Sequence, residues 1–253
     1  MDLNLKHKTA IISGGVGGIG QCIAREFLAE GAQVVVADVD RGRGEQFEAE
    51  CAAAYGAQRL RFVPTDVTVA SQIGALFVQA HDLWGSLDIL VNAQQWWPFA
   101  WFQDIADEDW RRCLDINLTS YFYLCREAVN YFLAHGVKGK ILNLTSQAAF
   151  RGSTTGHAHY AAAKAGIVGL TMSIAREVAT HGINVIGLAP GLVETPATEE
   201  VLKRQRAHYE ARIPLGRIAQ PEEIASVAVF LMSEKANYIT GATIDISGGI
   251  LMR

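Results

Sequence analysis

Cysteine is scarce in this 253-residue sequence, and its four copies stand far apart. Cys22, Cys51, Cys113 and Cys125 form no Cys-x-x-Cys pair and have no histidine at zinc-ligand spacing. We therefore expect reduced structural thiols and no metal site. Long apolar runs are missing too, since none reaches the roughly 20 residues of a membrane span. The first residues lack the apolar stretch of a signal peptide, so the sequence predicts a cytoplasmic protein with no membrane partner.

A basic excess is also absent. The chain has 22 Lys and Arg against 26 Asp and Glu, which gives a net charge of −4. A nucleic-acid-binding protein usually carries a basic face, so we expect no nucleic-acid partner. Half of the residues are hydrophobic, and the length suits one α/β domain spanning residues 1–253.

Short β-branched runs alternate with longer helical stretches along the chain. Helices are predicted at about 18–30, at about 42–55 and after residue 66. The predicted strands are 10–12, 33–37, 61–63, 88–91, 140–144, 183–187 and 242–246. This alternation indicates βαβ units around a doubly wound, seven-stranded parallel sheet with helices on both faces.

A glycine-rich loop follows the first predicted strand and leads into the first helix. Glycine is needed where backbone turns tightly against a phosphate, and the helix N-terminus offers free N–H groups and a positive dipole end. This placement favours a Rossmann-like dinucleotide site. Its predicted cofactor-binding residues are Ser13, Gly14, Gly17, Gly18, Ile19 and Gly20.

Asp38 ends the second predicted strand, eighteen residues beyond Gly20. A carboxylate at this point accepts hydrogen bonds from the adenosine ribose hydroxyls and repels a 2′-phosphate. Arg41 and Arg43 lie nearby, but we interpret them as the surface of the next helix. The sequence therefore favours NAD over NADP.

A tyrosine and a lysine stand four residues apart in an alanine-rich stretch, as Tyr160 and Lys164. Alanine favours helix, and residues i and i+4 share one helix face. An ammonium beside a phenol lowers the phenol's pKa from about 10 and makes it a proton-transfer group. Most Tyr/Lys pairs at this spacing are simply a helix surface, so the function of this pair has to be judged from the rest of the chain, including Ser146 upstream.

The glycine loop and the Tyr160/Lys164 pair, with Ser146 upstream, resemble the short-chain dehydrogenase/reductase family along essentially the whole chain. The resemblance implies hydride transfer between NAD and a secondary alcohol or ketone. Tyr160 would take the hydroxyl proton, Ser146 would hydrogen-bond the substrate oxygen, and Asn117 would hold a water linking Lys164 to solvent. Relatives are commonly tetramers, so a homotetramer or homodimer is implied.

Further segments match the family's cofactor-binding pattern in order. Besides the loop, Asp38, Tyr160 and Lys164, the resemblance implies cofactor contacts from Asp66, Val67, Asn92, Pro190, Gly191, Val193 and Thr195. One segment departs from the family, which usually has Asn-Asn-Ala-Gly where this chain reads Asn92-Ala93-Gln94-Gln95. This departure keeps an alternative open, namely a catalytically silent NAD-binding regulator or scaffold on the same fold.

Five aromatic residues fall within the seven positions 96–102, just beyond the fourth predicted strand. They would either line an apolar substrate pocket or belong to the core and a subunit interface. In the family, the stretch equivalent to 192–213 often closes over substrate as a lid. We therefore predict an apolar, cyclic or aryl substrate contacted by Trp96, Trp97, His157, Leu192, Thr198, Leu202 and Tyr209.

Overall fold

The fold is seen in a computed structural model, which describes residues 2–153 and 155–252. Seven strands form one sheet in the order β3-β2-β1-β4-β5-β6-β7, and all neighbouring strands run parallel. The strands are β1 (Thr9–Ser13), β2 (Gln33–Asp38), β3 (Leu60–Pro64), β4 (Ile89–Asn92), β5 (Lys140–Leu144), β6 (Asn184–Pro190) and β7 (Thr243–Ile246).

Helices connect the strands. The α-helices of the described residues are α1 (Gly18–Ala29), α2 (Arg41–Tyr55), α3 (Ala70–Trp84), α4 (Asp107–Leu114), α5 (Ser120–His135), α6 (Ala148–Arg151), α7 (Ala158–Val178), α8 (Glu199–Glu210) and α9 (Pro221–Leu231). A π-helical turn, Asp115–Thr119, joins α4 to α5. Three short 3₁₀ turns lie at Phe102–Asp104, Ala179–His181 and Glu234–Ala236.

The core lies in two layers, one on each face of the sheet. Ile12 and Val36 point to the layer that contains apolar residues of α1, α2 and α9. Their neighbours Ile11 and Val35 point to the opposite layer, which contains residues of α3, α5 and α7. Successive strand residues face opposite sides, so a strand covered on both faces is apolar throughout.

The predicted fold class is confirmed. The bounds of the predicted strands and of the first two helices agree with the structure to within one or two residues, except that β6 ends at Pro190, three residues beyond the prediction. The third helix, predicted after residue 66, begins at Ala70. No helix within residues 2–153 and 155–252 has the length and hydropathy of a membrane span.

The sheet order reverses at the β1–β4 pair, because β2 lies on one side of β1 and β4 on the other. In open α/β sheets, ligands bind outside the carboxyl ends of the strands at such a point. The segments that follow β1 and β4 are the glycine loop and Asn92-Ala93-Gln94-Gln95. The topology therefore brings these two segments together at one crevice.

Candidate active site

A cavity of about 940 Å³ opens at the carboxyl ends of the strands. This volume is within the range of small-molecule and cofactor sites. Of the residues predicted from the sequence, those lining it are Gly14, Gly17, Gly18, Ile19, Gly20, Asp38, Asp66, Val67, Trp96, Trp97, Ser146, His157, Tyr160, Lys164, Pro190, Gly191, Leu192, Val193, Thr195, Thr198 and Tyr209. Four others, Ser13, Asn92, Asn117 and Leu202, lie behind its wall.

Lys164 projects from α7 into the protein and is 1% exposed. Its Nζ donates to the Tyr121 hydroxyl at 3.1 Å and to the Leu144 carbonyl at 2.9 Å. It also lies 5.6 Å from the ring centroid of Tyr160. Burial lowers the pKa of Lys164 to about 7, because the ammonium is removed from water. The lysine is therefore poised between its charged and neutral forms near neutral pH.

Tyr160 is 6% exposed, and its hydroxyl donates to the Gln95 Oε1 at 3.1 Å. Burial raises the pKa of Tyr160 above its ordinary value, whereas hydrogen bonding with the Ser146 side chain lowers it. Burial is the larger effect. In the free protein the hydroxyl thus stays protonated at neutral pH, and extra positive charge at the site would be needed to form the phenolate.

Ser146 follows β5 directly, at the start of the turn into α6. Its Oγ accepts a hydrogen bond from the Ala148 N–H at 3.1 Å, and its own N–H donates to the Thr145 Oγ1 at 2.5 Å. The first bond uses the hydroxyl oxygen as an acceptor, and the second fixes the backbone of the residue. Hydrogen bonding with the Tyr160 side chain places the serine hydroxyl beside Tyr160, where a substrate oxygen could also accept its hydrogen.

Asn117 sits in the π-helical turn and is fully buried. Its Oδ1 accepts from the Trp96 N–H at 3.0 Å, and its Nδ2 donates to the Trp96 and Cys113 carbonyls at 2.8 and 3.0 Å. The side chain thus holds the backbone of the segment that follows β4. The water relay implied by the family resemblance stays a prediction.

Three residues that the structure places at the site were not assigned to it from the sequence: Tyr121, Gln94 and Gln95. Buried Gln94 accepts from the Ser13 hydroxyl at 2.5 Å and donates to the Ser120 hydroxyl at 2.8 Å. Tyr121, one helical turn beyond Asn117, bonds the Gln94 carbonyl at 3.0 Å as well as Lys164. The departure from Asn-Asn-Ala-Gly was the available signal for the two glutamines.

The glycine loop is closed tightly against its neighbours. Gly14 has φ +67°, and a Cβ there would lie 2.5 Å from the Gln94 Cα. A Cβ on Gly20 would lie 2.3 Å from the Gly14 carbonyl oxygen. No side chain caps α1, so the N–H groups of its first turn face the cavity without a side-chain partner. This arrangement fits a dinucleotide pyrophosphate.

The carboxylates of Asp38 and Asp66 lie along the same wall of the cavity. Asp38 accepts from the Val16 N–H at 3.3 Å and from the Asp40 N–H at 3.2 Å, one at each oxygen, so each oxygen can still accept a hydroxyl hydrogen. Asp66 accepts from the Thr68 N–H and hydroxyl at 2.9 and 2.6 Å. Residues 14–20 and these carboxylates together fit the phosphate and adenosine parts of a dinucleotide.

Ser13 and Asn92 support the loops from below. The Ser13 hydroxyl lies 3.2 Å from the Asn92 Oδ1, and the Asn92 Nδ2 donates to the Asn143 Oδ1 at 2.8 Å. Asn143 continues the chain of hydrogen bonds to the Thr171 hydroxyl of α7. These buried polar groups tie β1, β4 and β5 to the helix that carries the Tyr160/Lys164 pair.

The aromatic segment divides between the cavity and the surface. Trp97 stacks on His157 with ring centroids 4.3 Å apart, and His157 Nδ1 lies 2.7 Å from the Pro98 carbonyl. Burial lowers the pKa of His157, which favours its neutral form. Trp96 lies under the Arg112 guanidinium at 4.5 Å. The remaining three aromatic side chains, Phe99, Trp101 and Phe102, are exposed.

Within the segment 192–213, Leu192, Thr198 and Tyr209 line the cavity. Thr198 donates from its Oγ1 to the Val193 carbonyl at 2.7 Å, which steadies the entry into α8. Leu202 packs instead with Ile213 and Ile218 in a small separate apolar cluster. The lid role of this segment stays a prediction.

The described residues contain no convergent group of three His, Cys, Asp or Glu side chains that could hold a metal ion. Ser146, Tyr160 and Lys164 instead line one cavity together with the glycine loop and Asp38. Such an arrangement is suited to moving a proton at a carbon–oxygen bond while a bound cofactor accepts or gives a hydride.

Comparison with known sequences gives the same picture. Residues 15–251 match the family described as enoyl-(acyl carrier protein) reductase. A 3-oxoacyl-[acyl-carrier-protein] reductase of Vibrio cholerae is 36% identical over 250 residues, covering 99% of this chain and 100% of that protein. Galactitol 2-dehydrogenase of Agrobacterium fabrum is 36% identical over 258 residues, covering 98% of each chain.

Solved structures agree with this assignment. A short-chain dehydrogenase/reductase from Brucella melitensis, 36% identical, superposes with a TM-score of 0.91 over 100% of both chains. A short-chain type dehydrogenase/reductase from Mycobacterium marinum, 30% identical, gives 0.94 over 100% of this chain and 98% of that one. On fold, site and sequence, the chain belongs to the short-chain dehydrogenase/reductase family of oxidoreductases.

Proposed function

We propose that this protein is an NAD-dependent dehydrogenase that interconverts a secondary alcohol and its ketone. The observation that carries the proposal is the convergence of Ser146, Tyr160 and Lys164 at a cavity that also contains the glycine loop and Asp38. The chain 1–253 would act as a single dinucleotide-binding and catalytic domain, with segment 192–213 over the substrate. Bound NAD would supply the hydride acceptor and a positive charge beside Tyr160.

The protein's own groups would handle the proton. Tyr160 would take the hydroxyl proton of the alcohol, and its own proton would have left through Lys164. Ser146 would donate a hydrogen bond to the substrate oxygen, stabilising the charge that develops there. Because Lys164 has its pKa near neutrality, it is matched to accepting and releasing a proton. Asn117 would keep the loop after β4 in place throughout.

The preference for NAD rests on Asp38. Its carboxylate lines the cavity at the end of β2, and Arg41, the nearest following arginine, lies 3.6 Å from Glu45 of its own helix. An adenosine ribose with free hydroxyls suits this environment better than a 2′-phosphate. Asp38→Ala should lower kcat/KM for NAD by about 10-fold or more. The ratio of kcat/KM with NAD to kcat/KM with NADP should therefore fall. Asp40→Ala, which removes a neighbouring carboxylate that caps α2, should leave the cofactor ratio unchanged.

The substrate end supports an apolar, cyclic or aryl alcohol. Trp97, stacked on His157, and Trp96 present aromatic surface to the cavity, and Leu192 and Ile213 add apolar groups. Apolar walls with a few fixed polar groups are typical of small-molecule sites. The two relatives are named for different substrates, an acyl chain in one case and a polyol in the other. Their names therefore do not agree on one substrate, and the apolar class is proposed from the lining of the cavity.

The test is NADH formation from NAD with a panel of aliphatic, cyclic and aryl secondary alcohols. Tyr160→Phe should reduce turnover by about 10²–10⁴-fold, because it removes the proton acceptor. Tyr238→Phe, which changes a fully exposed tyrosine, is the matched control and should turn over normally. Tight NAD binding with no turnover of any alcohol would instead favour the silent NAD-binding scaffold.

Assembly and location follow from the family resemblance. Exposed apolar side chains on α5, α7 and α9, namely Phe122, Met172 and Phe230, are compatible with subunit contacts in a cytoplasmic homotetramer or homodimer. Light scattering of the purified protein during size-exclusion chromatography should give a mass of two or four chains. A monomer would contradict this part of the proposal.

A further inference from the structure

Gln95 has a fixed backbone and a nearly free side chain. On one side, the Gln94 carbonyl accepts from the Tyr121 hydroxyl at 3.0 Å. On the other, the N–H and carbonyl of Trp96 both bond to Asn117. The segment therefore holds residue 95 in place at the cavity, while its side chain extends into the open space.

The Gln95 amide stands beside the reacting hydroxyl. Its Oε1 accepts from Tyr160 at 3.1 Å. Its Nε2, by contrast, donates to no acceptor within the parts of the chain that the structure describes. Two N–H donors are thus without a partner among the described residues, on a residue that lines the cavity next to the group that would touch the substrate oxygen.

The neighbouring Gln94 has a structural role and serves as a comparison for Gln95. It is buried, and both ends of its amide are bonded, to Ser13 and to Ser120. Gln95 is exposed to the cavity and makes a single hydrogen bond, to the proposed catalytic tyrosine. Packing therefore does not account for the amide of Gln95.

In the reducing direction, a ketone oxygen that accepts from the Tyr160 hydroxyl competes with the Gln95 Oε1 for the same hydrogen. The displaced amide is then free to bond a second polar group of the substrate, and a hydrogen bond that only one substrate can make favours that substrate. A substrate with a second oxygen on the adjacent carbon supplies such a group. The oxygen and the N–H group of one amide can each make a hydrogen bond of about 3 Å, and together they can bond two oxygens that are carried by adjacent carbon atoms.

We propose that Gln95 is a specificity-determining residue that selects substrates with a second oxygen on the carbon adjacent to the reacting one. These are vicinal diols in the oxidising direction and α-hydroxyketones in the reducing direction. The inference rests on the proposed dehydrogenase function and narrows its substrate class. An aromatic or cyclic body is retained, because Trp96 and Trp97 line the same cavity.

The test compares matched pairs that differ by one hydroxyl: cyclohexanol with cyclohexane-1,2-diol, and 1-phenylethanol with 1-phenylethane-1,2-diol. Wild type should favour the diols in kcat/KM. Gln95→Met keeps the length of the side chain but removes the amide, and should reduce that preference by about tenfold. Gln103→Met, at an exposed glutamine away from the cavity, should leave it unchanged.

Binding is measured in parallel, as the rise in melting temperature that cyclohexanone or 2-hydroxycyclohexanone produces with NADH present. A binding preference for the hydroxyketone that is lost in Gln95→Met supports the inference even if no alcohol is turned over, in which case only the proposed activity fails. A wild type that does not discriminate, or a Gln95→Met variant that discriminates equally well, overturns the inference.

A third variant tests whether the side chain of residue 95 contacts Tyr160. Gln95→Glu is isosteric but places a carboxylate beside Tyr160, which opposes formation of the phenolate. The alkaline shift of its pH profile for kcat/KM should appear with alcohols and diols alike. An unshifted profile would show that residue 95 does not contact Tyr160 in the working enzyme, and would overturn the inference.

Discussion

The buried lysine gives this protein a pH-dependent stability that a single substitution should remove. Lys164 is 1% exposed, and the structure gives it two neutral hydrogen-bond partners, Tyr121 and Leu144. Because burial lowers its pKa to about 7 in the folded chain, the unfolded chain binds a proton there that the folded chain lacks above neutrality. Lys164→Met abolishes this difference and leaves a side chain of similar length.

The size of the effect follows from one proton. Between pH 7 and the ordinary lysine value of 10.5, wild type should gain stability over Lys164→Met by at most about 1.4 kcal/mol per pH unit as pH rises. From pH 7 to pH 9 this amounts to about 2–3 kcal/mol. Below pH 7 both folded and unfolded chains carry the charge, so the difference is constant there. The two lost hydrogen bonds add a pH-independent offset.

The measurement is urea unfolding of the cofactor-free protein at pH 7, 8 and 9. Lys140, whose pKa burial lowers to about 8, is present in both proteins and cancels in the comparison. Lys235→Met changes an exposed lysine and should give a curve parallel to wild type. If Lys164→Met also ran parallel to wild type across this range, the lysine would be charged in the folded chain and the reasoning would be refuted.

Three further predictions concern single positions. Gly20→Ala should weaken NADH binding, followed by fluorescence titration, at least tenfold, because its Cβ would lie 2.3 Å from the Gly14 carbonyl oxygen. Gln94→Ala should lower the free energy of unfolding by about 1–3 kcal/mol, measured in urea, because a buried amide with two side-chain partners is lost. His159→Leu should lose less stability than wild type on acidification from pH 7 to pH 5. Burial lowers the pKa of His159, so the unfolded wild type takes up a proton that the folded chain resists.

Each of these has a matched control or a contradicting outcome. Gly169→Ala, on an open face of α7, should leave cofactor binding intact. Unchanged NADH affinity in Gly20→Ala would contradict the tight loop. An unfolding free energy for Gln94→Ala equal to that of Gln103→Ala would contradict the buried network. The ring nitrogens of His159 have no partner among the described residues. If the melting temperatures of wild type and His159→Leu fell equally between pH 7 and pH 5, the interpretation of His159 would be contradicted.

The fold was predictable, as was the placing of Ser146, Tyr160 and Lys164 at one cavity, because both depend largely on local patterns. Strand composition, the glycine loop and the i, i+4 spacing of Tyr160 and Lys164 each depend on a few neighbouring residues. The parallel sheet then brings the ends of β1, β4 and β5 together without any further signal. Ser146 was predicted from the family resemblance, which places a serine upstream of the tyrosine.

The rest depends on contacts between distant residues. Tyr121 lies on a helix with no motif around it, yet its hydroxyl meets Lys164. Leu202 was predicted to contact substrate because it lies in the segment 192–213, but it packs instead with Ile213 and Ile218. The side chain of Gln95 enters the cavity because backbone contacts on both sides orient it, and no spacing along the sequence records them.

The attachment of Asn117 to Trp96 has a consequence for how the family can diversify. The asparagine recognises the N–H and carbonyl of residue 96, not the indole, so it acts on that segment as a neighbouring strand would. Any residue except proline can make those bonds. The aromatic wall can therefore be rewritten residue by residue while its anchor, and the proton chemistry behind it, stays in place. On the proposed function, substrate preference can change on this scaffold without rebuilding the site formed by Ser146, Tyr160 and Lys164.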